Sequence, residues 1–190
     1  MTEGAKSSPT GYTTYRVTSL ADSGSGSLRD ALSQGKRYVV FDVAGTIRLN
    51  STLNVPYSYI TIDGASAPSP GITILQPGNS RTSIEAKSSI GAAHDIIIHH
   101  LRMDGDATSH SNDGDIWGLD GESAPVYNII LDHITATASP DGCFDVWENV
   151  HDVTISWNLI TDTITALHLS TGDESQVRQR FSIHHNVFAR

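Results

Sequence analysis

Short runs of β-branched and aliphatic residues, set between polar and glycine-rich stretches, recur along most of the chain. The run YRVTSL, starting at Tyr15, predicts a strand. YVVFDV, YITIDG, ITILQ, DIIIHHLRM, NIILDHITA, DVTISWNLI and RFSIHHNVF follow it, each brief and bounded by turn residues. Superposing these segments aligns Phe41, Ile62, Ile98, Leu131, Ile155 and Ile183 at gaps of roughly 21 to 36 residues, the range of stacked coils. A single coil of a parallel β-helix cannot bury its own apolar face. Coils stacked about 4.8 Å apart pair their strands and share one interior, and the aligned aliphatic column is that predicted interior. The same register brings Asn158 over Asn186 as an asparagine ladder, and puts His100, His133 and His185 in one column with Trp157, where they are expected to stack or hydrogen-bond between coils.

The pattern therefore predicts an all-β chain folded as a right-handed parallel β-helix. A β-sandwich also suits short strands with turn signals. The near-repeat of DIII, NIIL and DVTI, each followed by similar polar and apolar steps, favours the solenoid. One helix is expected, in ADSGSGSLRDALSQG, with Ser27 as its cap, Asp30 answering three residues on and Gly35 ending it. At about two turns it is too short to stand alone and suits a lid over one end of the solenoid. Residues 1–14 read as a polar N-terminal segment and 15–190 as the solenoid domain.

Composition narrows the function. Sixteen glycines, seven prolines and a 38% hydrophobic content fit one turn-rich domain. The net charge of -9 argues against nucleic acid and against an anionic membrane surface as partners. An acidic sugar polymer would also be repelled unless a metal intervened. The single cysteine, Cys143, forms no internal disulfide and supports no thiolate zinc site. The first residues carry no apolar run, so a signal peptide is not expected there. Asn50-Ser51-Thr52 fits a glycosylation acceptor, a triplet that also arises by chance.

The candidate chemistry is acidic: Asp113 and Asp115 in NDGDIW, then Asp141 and Asp145 in SPDGCFDVW. An Asp-Gly pair taken singly is usually a turn. Residues two apart on an extended segment share a side, about 6.6 Å from one another, so Asp113 and Asp115 can both face one cation. Asp141 and Asp145 would lie roughly 13 Å apart on a straight strand, and a bend at Gly142 is expected to close that distance. Adjacent coils would bring the two groups to one all-oxygen site for a hard cation, with calcium the best fit and zinc a weaker one. Asp104, Asp106 and Asp115 fall at positions one, three and twelve of an EF-hand loop, but Ser109 stands where its sharp turn needs glycine. Alternation along a strand turns the neighbours in His99-His100 and His184-His185 to opposite faces, so a structural role is expected of them before a catalytic one. Arg178, Arg180 and Arg190 either meet an anionic substrate or are simply solvated.

The stretches VTSLADSGSGSLRDAL, VVFDVAGTI, YITIDG, NDGDI, ILDHIT, DGCFDV with DVTISWN, and SIHHNVFA occur in an order that resembles the pectate lyase family of polysaccharide lyases, across nearly the whole chain. The resemblance implies a secreted, calcium-dependent enzyme, monomeric at full length, that cleaves de-esterified homogalacturonan (polygalacturonate) by β-elimination. It implies Asp113, Asp115, Asp141 and Asp145 as the calcium ligands. It also implies an arginine base a few residues beyond the HHN segment, which here lies past Arg190, so the chain is expected to lack C-terminal coils. A lysine that many members use to hold substrate corresponds to Thr165, and no lysine follows Lys87. Two alternatives stay open: a non-catalytic carbohydrate-binding β-helix, and a lyase for another uronate polymer such as alginate.

Overall fold

The structure, a computed structural model, describes residues 1–76, 82–87, 89–105, 114–170 and 180–189. Strand β1 (Thr13–Val17) is followed by helix α1 (Leu28–Ala31), and from there the strands come in threes. The first three are β2 (Arg37–Phe41), β3 (Gly45–Arg48) and β4 (Leu53–Asn54), then β5 (Ile60–Asp63), β6 (Ile72–Leu75) and β7 (Ile84–Ala86). The middle coils hold β8 (Ala93–His99), β9 (Arg102–Asp104) and β10 (Trp117–Asp120), then β11 (Val126–Asp132), β12 (Thr135–Thr137) and β13 (Gly142–Trp147). The last are β14 (Val150–Ser156), β15 (Leu159–Thr161), β16 (Thr165–Leu169), β17 (Phe181–His184) and β18 (Val187–Ala189).

Equivalent strands of successive coils pair in parallel, giving sheets of seven (β1-β2-β5-β8-β11-β14-β17), five (β16-β13-β10-β7-β4) and six strands (β18-β15-β12-β9-β6-β3). The chain is a parallel β-helix, and the antiparallel pairing of a sandwich is excluded. Its interior is made of register columns. Ile62, Ile98, Leu131, Ile155 and Ile183 pair in turn along the seven-stranded sheet, as the repeat predicts. At the first step the prediction slips by two residues: Val39, not Phe41, pairs with Ile62. Both face inward because they are two apart, so the apolar pattern alone does not separate them.

The turns after the seven-stranded sheet hold both predicted ladders. Ile134 donates its N–H to Asn158 Oδ1 at 2.8 Å, and Asn158 donates from Nδ2 to Leu131 O and to Asn186 Oδ1. The rings of His100, His133, Trp157 and His185 stack in sequence, with centroids 4.6, 6.0 and 4.2 Å apart. These four residues are left-handed, with φ of 57, 51, 56 and 56°. That conformation overturns the expected alternation, because the strand ends in a bend and His99 Nδ1 comes within 2.8 Å of His100 Nδ1, as His184 Nδ1 does of His185 Nδ1. One nitrogen of each pair donates and the other accepts.

The predicted helix is shorter than expected. α1 is a single turn with Leu32 as its C-cap, well before Gly35. Ser27 Oγ accepts from Asp30 N at 3.1 Å, but the Asp30 carboxylate turns to Tyr15 Oη and Gly26 N instead of completing a capping box. Leu28, Ala31 and Leu32 are buried with Val17 in the core, so the turn closes over one end of the stack. The polar segment before β1 docks as well, through a 3-10 turn (Gly4–Ser7) in which Ala5 N–H donates to Thr61 Oγ1 at 3.0 Å.

Candidate active site

The five-stranded sheet turns Trp117 and Leu119 of β10, and Phe144 and Val146 of β13, into the core. The alternate residues face outward, and parallel register sets Glu85, Gly118, Asp145 and His168 in one row across four coils. Two residues further along, Asp120 pairs with Trp147. Gly118 has no side chain to fill the gap between Glu85 and Asp145, and an added Cβ would meet Thr82 Cγ2 at 3.1 Å. The result is a cleft of about 440 Å³ with Gly118 at its floor. Glu85, Asp115 and Asp145 border it on one stretch, and Asp120, Glu122, Trp147 and Glu148 on the other.

Asp115 lies two residues before β10, held by the adjacent coil: Gly142 N–H donates to its Oδ1 at 3.0 Å. An added Cβ at Gly142 would stand 2.3 Å from that oxygen, so the approach requires glycine. Burial, then the carboxylates of Asp145 and Asp141, push Asp115 up to about 7. Burial also raises Glu85. Asp145 is 9% exposed, and both its oxygens receive donors, Oδ2 from Trp147 Nε1 at 2.8 Å and Oδ1 from His168 Nδ1 at 2.6 Å. Lys87 Nζ sits 2.5 Å from Asp120 and 3.7 Å from Glu122.

Of the four predicted ligands, then, Asp115, Asp141 and Asp145 act electrostatically on one another from adjacent coils, and Asp113 lies outside the described residues. The bend expected at Gly142 is not there: Gly142 is the first residue of β13, which runs on through Asp145, and the chain bends before the strand, at Asp141. No group of three or more His, Cys, Asp or Glu stands at metal-binding geometry among the described residues. In donor type the cleft fits calcium: its acidic side chains offer oxygen only, and the raised Asp115 marks negative charge that a hard cation would relieve. Thr165 opens β16 beside Gly142, donating its N–H to Asp141 O, and offers no cation. Arg180 is engaged elsewhere, on the seven-stranded sheet, by the Asp152 carboxylate, and Arg178 and Arg190 lie outside the described residues.

Glu85, Trp147 and His168 were not singled out by spacing. In the row of Asp145, His168 lies one coil away and Glu85 two, while Trp147 stands two residues beyond Asp145 on the same strand, and only the register shows this. No helix among the described residues is long and apolar enough to cross a membrane.

No protein-family model matches the chain. A protein of Aspergillus flavus named "Probable pectate lyase C" is 34% identical over 77% of the chain, and its counterpart from Emericella nidulans matches to the same extent. A "Pectate trisaccharide-lyase" of Bacillus licheniformis is 29% identical over 77% of the chain. The crystal structure of Jun a 1, the major allergen from cedar pollen, superposes on 98% of the chain with a TM-score of 0.73 at 22% identity, covering 55% of the allergen and showing the fold. The chain spans 31% of the length of the fungal relatives and 41% of the bacterial one. Its sequence and its coils make it a homologue of the pectate lyase family.

Proposed function

We propose that this chain carries the cation and substrate site of a secreted, calcium-dependent pectate lyase that cleaves de-esterified homogalacturonan by β-elimination. The observation that carries the reading is that the coil of Asp141 and Asp145 holds Asp115 through the Gly142 N–H, with burial first and then the charges of Asp145 and Asp141 raising Asp115 to about 7. These residues, with Asp113, would hold calcium. When bound, calcium would offset the negative charge of the uronate carboxylate and make the sugar's C5 proton easier to remove. The chain's own residues fix the site. Gly142 N–H orients Asp115, and Trp147 and His168 orient Asp145. In the elimination a base would take the C5 proton, the C5–H electron pair would form the C4–C5 double bond, and the C4–O bond would break with its oxygen leaving on the departing chain; the resemblance assigns the base to an arginine.

Thr165 in the place of a substrate-holding lysine favours a second reading, a scaffold that binds uronate without cleaving it. Calcium titration of the chain, followed by near-ultraviolet absorbance with polygalacturonate, separates the two. Calcium-dependent unsaturated product supports the lyase. Calcium-dependent binding with no product, from a chain that includes the arginine, supports the second reading. Absence of calcium binding overturns both.

A further inference from the structure

Exposed tryptophan is unusual on a protein surface, since burying it is worth more than burying any other side chain of its kind. The chain has three tryptophans. Trp117 is 1% exposed and belongs to the core. Trp157 is 53% exposed, but its ring lies between His133 and His185 in the ladder, so its two faces are occupied. Trp147 differs from both. It is 43% exposed, borders the carboxylate cleft and has one ring contact among the described residues, edge-to-face with His168 at 5.5 Å and 84°.

The ring is nevertheless fixed. Its Nε1 is tied to Asp145 Oδ2, and the His168 ring that meets it is itself tied to Asp145 Oδ1. One buried carboxylate thus sets the angle of both rings. Holding an exposed indole rigid beside a polar cleft lowers the entropy lost when a flat apolar surface settles on it. A pyranose ring has such a surface, the face lined by C–H bonds, while its hydroxyls and carboxylate point outward from the rim. The hydroxyls would donate to the acceptors that border the cleft, Asp120 and Glu148 among them.

We propose that Trp147 is a sugar-stacking wall, on which one uronate ring of the polymer lies, positioned by the shared hold of Asp145 on Trp147 and His168. The proposal rests on the uronate-binding reading of the same cleft and adds to it the residue that recognises the sugar ring, as distinct from those that recognise its charge. A tryptophan that merely props Asp145 would act through its N–H alone, and this gives the test its contrast.

The experiment titrates de-esterified oligogalacturonate, in the presence of calcium, into the wild-type chain, Trp147→Phe, Trp147→Ala and Trp157→Phe, reading intrinsic fluorescence and heat. Calcium affinity of each is measured separately without sugar. Trp147→Phe loses the N–H but keeps a ring and is expected to bind sugar within about threefold of wild type, whereas Trp147→Ala is expected to lose about tenfold. Wild type and Trp157→Phe should show the same sugar-induced change in fluorescence, and both Trp147 variants should lose it. Equal weakening of Trp147→Phe and Trp147→Ala, or sugar binding by Trp147→Ala at wild-type strength, overturns the stacking role and leaves the uronate-binding reading intact. Failure of the wild type to bind the oligogalacturonate while binding calcium overturns both.

Discussion

A carboxylic acid raised to about 7 makes the stability of the molecule depend on pH through one residue. Asp115 ordinarily ionises near 3.8, and in the fold it is held up to about 7 by burial and by Asp145 and Asp141. Between those values the folded state keeps a proton that the unfolded chain has lost, so stability falls as pH rises from about 4 to about 7. Melting without divalent cations should show that decline, and Asp115→Asn should flatten it. An identical slope in wild type and variant would place the charge strain elsewhere. The three described carboxylates were legible in the sequence because two acidic pairs one coil apart suggest a shared cation, and because the resemblance to pectate lyases points to the same residues. Trp147 and His168 were not legible. Their relation to Asp145 is a matter of parallel register and ring orientation, and Trp147 reads in sequence as one more apolar residue at the end of a strand.

At the scale of the element, periodicity gave the coil and the αL turns set its corners. The column from Ile62 to Ile183 was readable because an aliphatic residue recurs at the same point of each repeat. The slip from Val39 to Phe41 shows the limit of such alignment, which fixes the face of a strand more firmly than its position along it. The alternation rule failed at His99-His100 for a related reason: left-handed backbone at His100 ends the strand one residue earlier than the apolar run suggests. The asparagine ladder survives these errors because its residues sit inside the turn itself. Asn158 is 2% exposed and satisfies Ile134 N–H and Leu131 C=O at once. Asn158→Ala strands both groups without solvent and should cost about 1–3 kcal/mol for each group left unpaired. Chemical denaturation would measure it, and a loss below about 0.5 kcal/mol, the low end for a single net hydrogen bond, would mean that water replaces the amide.

A solenoid is stable as a sum of coils and the interfaces between them, so its two ends differ from its middle. At the first end α1 buries Leu28, Ala31 and Leu32 against Val17 and covers the interior. At the last described coil Ile183 and Phe188 pair with the buried Ile155 and Ile160, yet they are 38% and 50% exposed. Strands β17 and β18 have neighbours on one side, β14 and β15, and their outer hydrogen-bonding edges are free to pair with another strand. Apolar exposure and an unpaired parallel edge at the same place are what edge-to-edge association needs, and the net charge of -9 opposes it only at low ionic strength. The chain on its own is therefore expected to self-associate as salt is raised. Replacing Phe188 and Ile183 with lysine should restore a single slow-sedimenting species in analytical ultracentrifugation. If the unaltered chain stays a monomer across that salt range, the edge is not the weak point of the molecule.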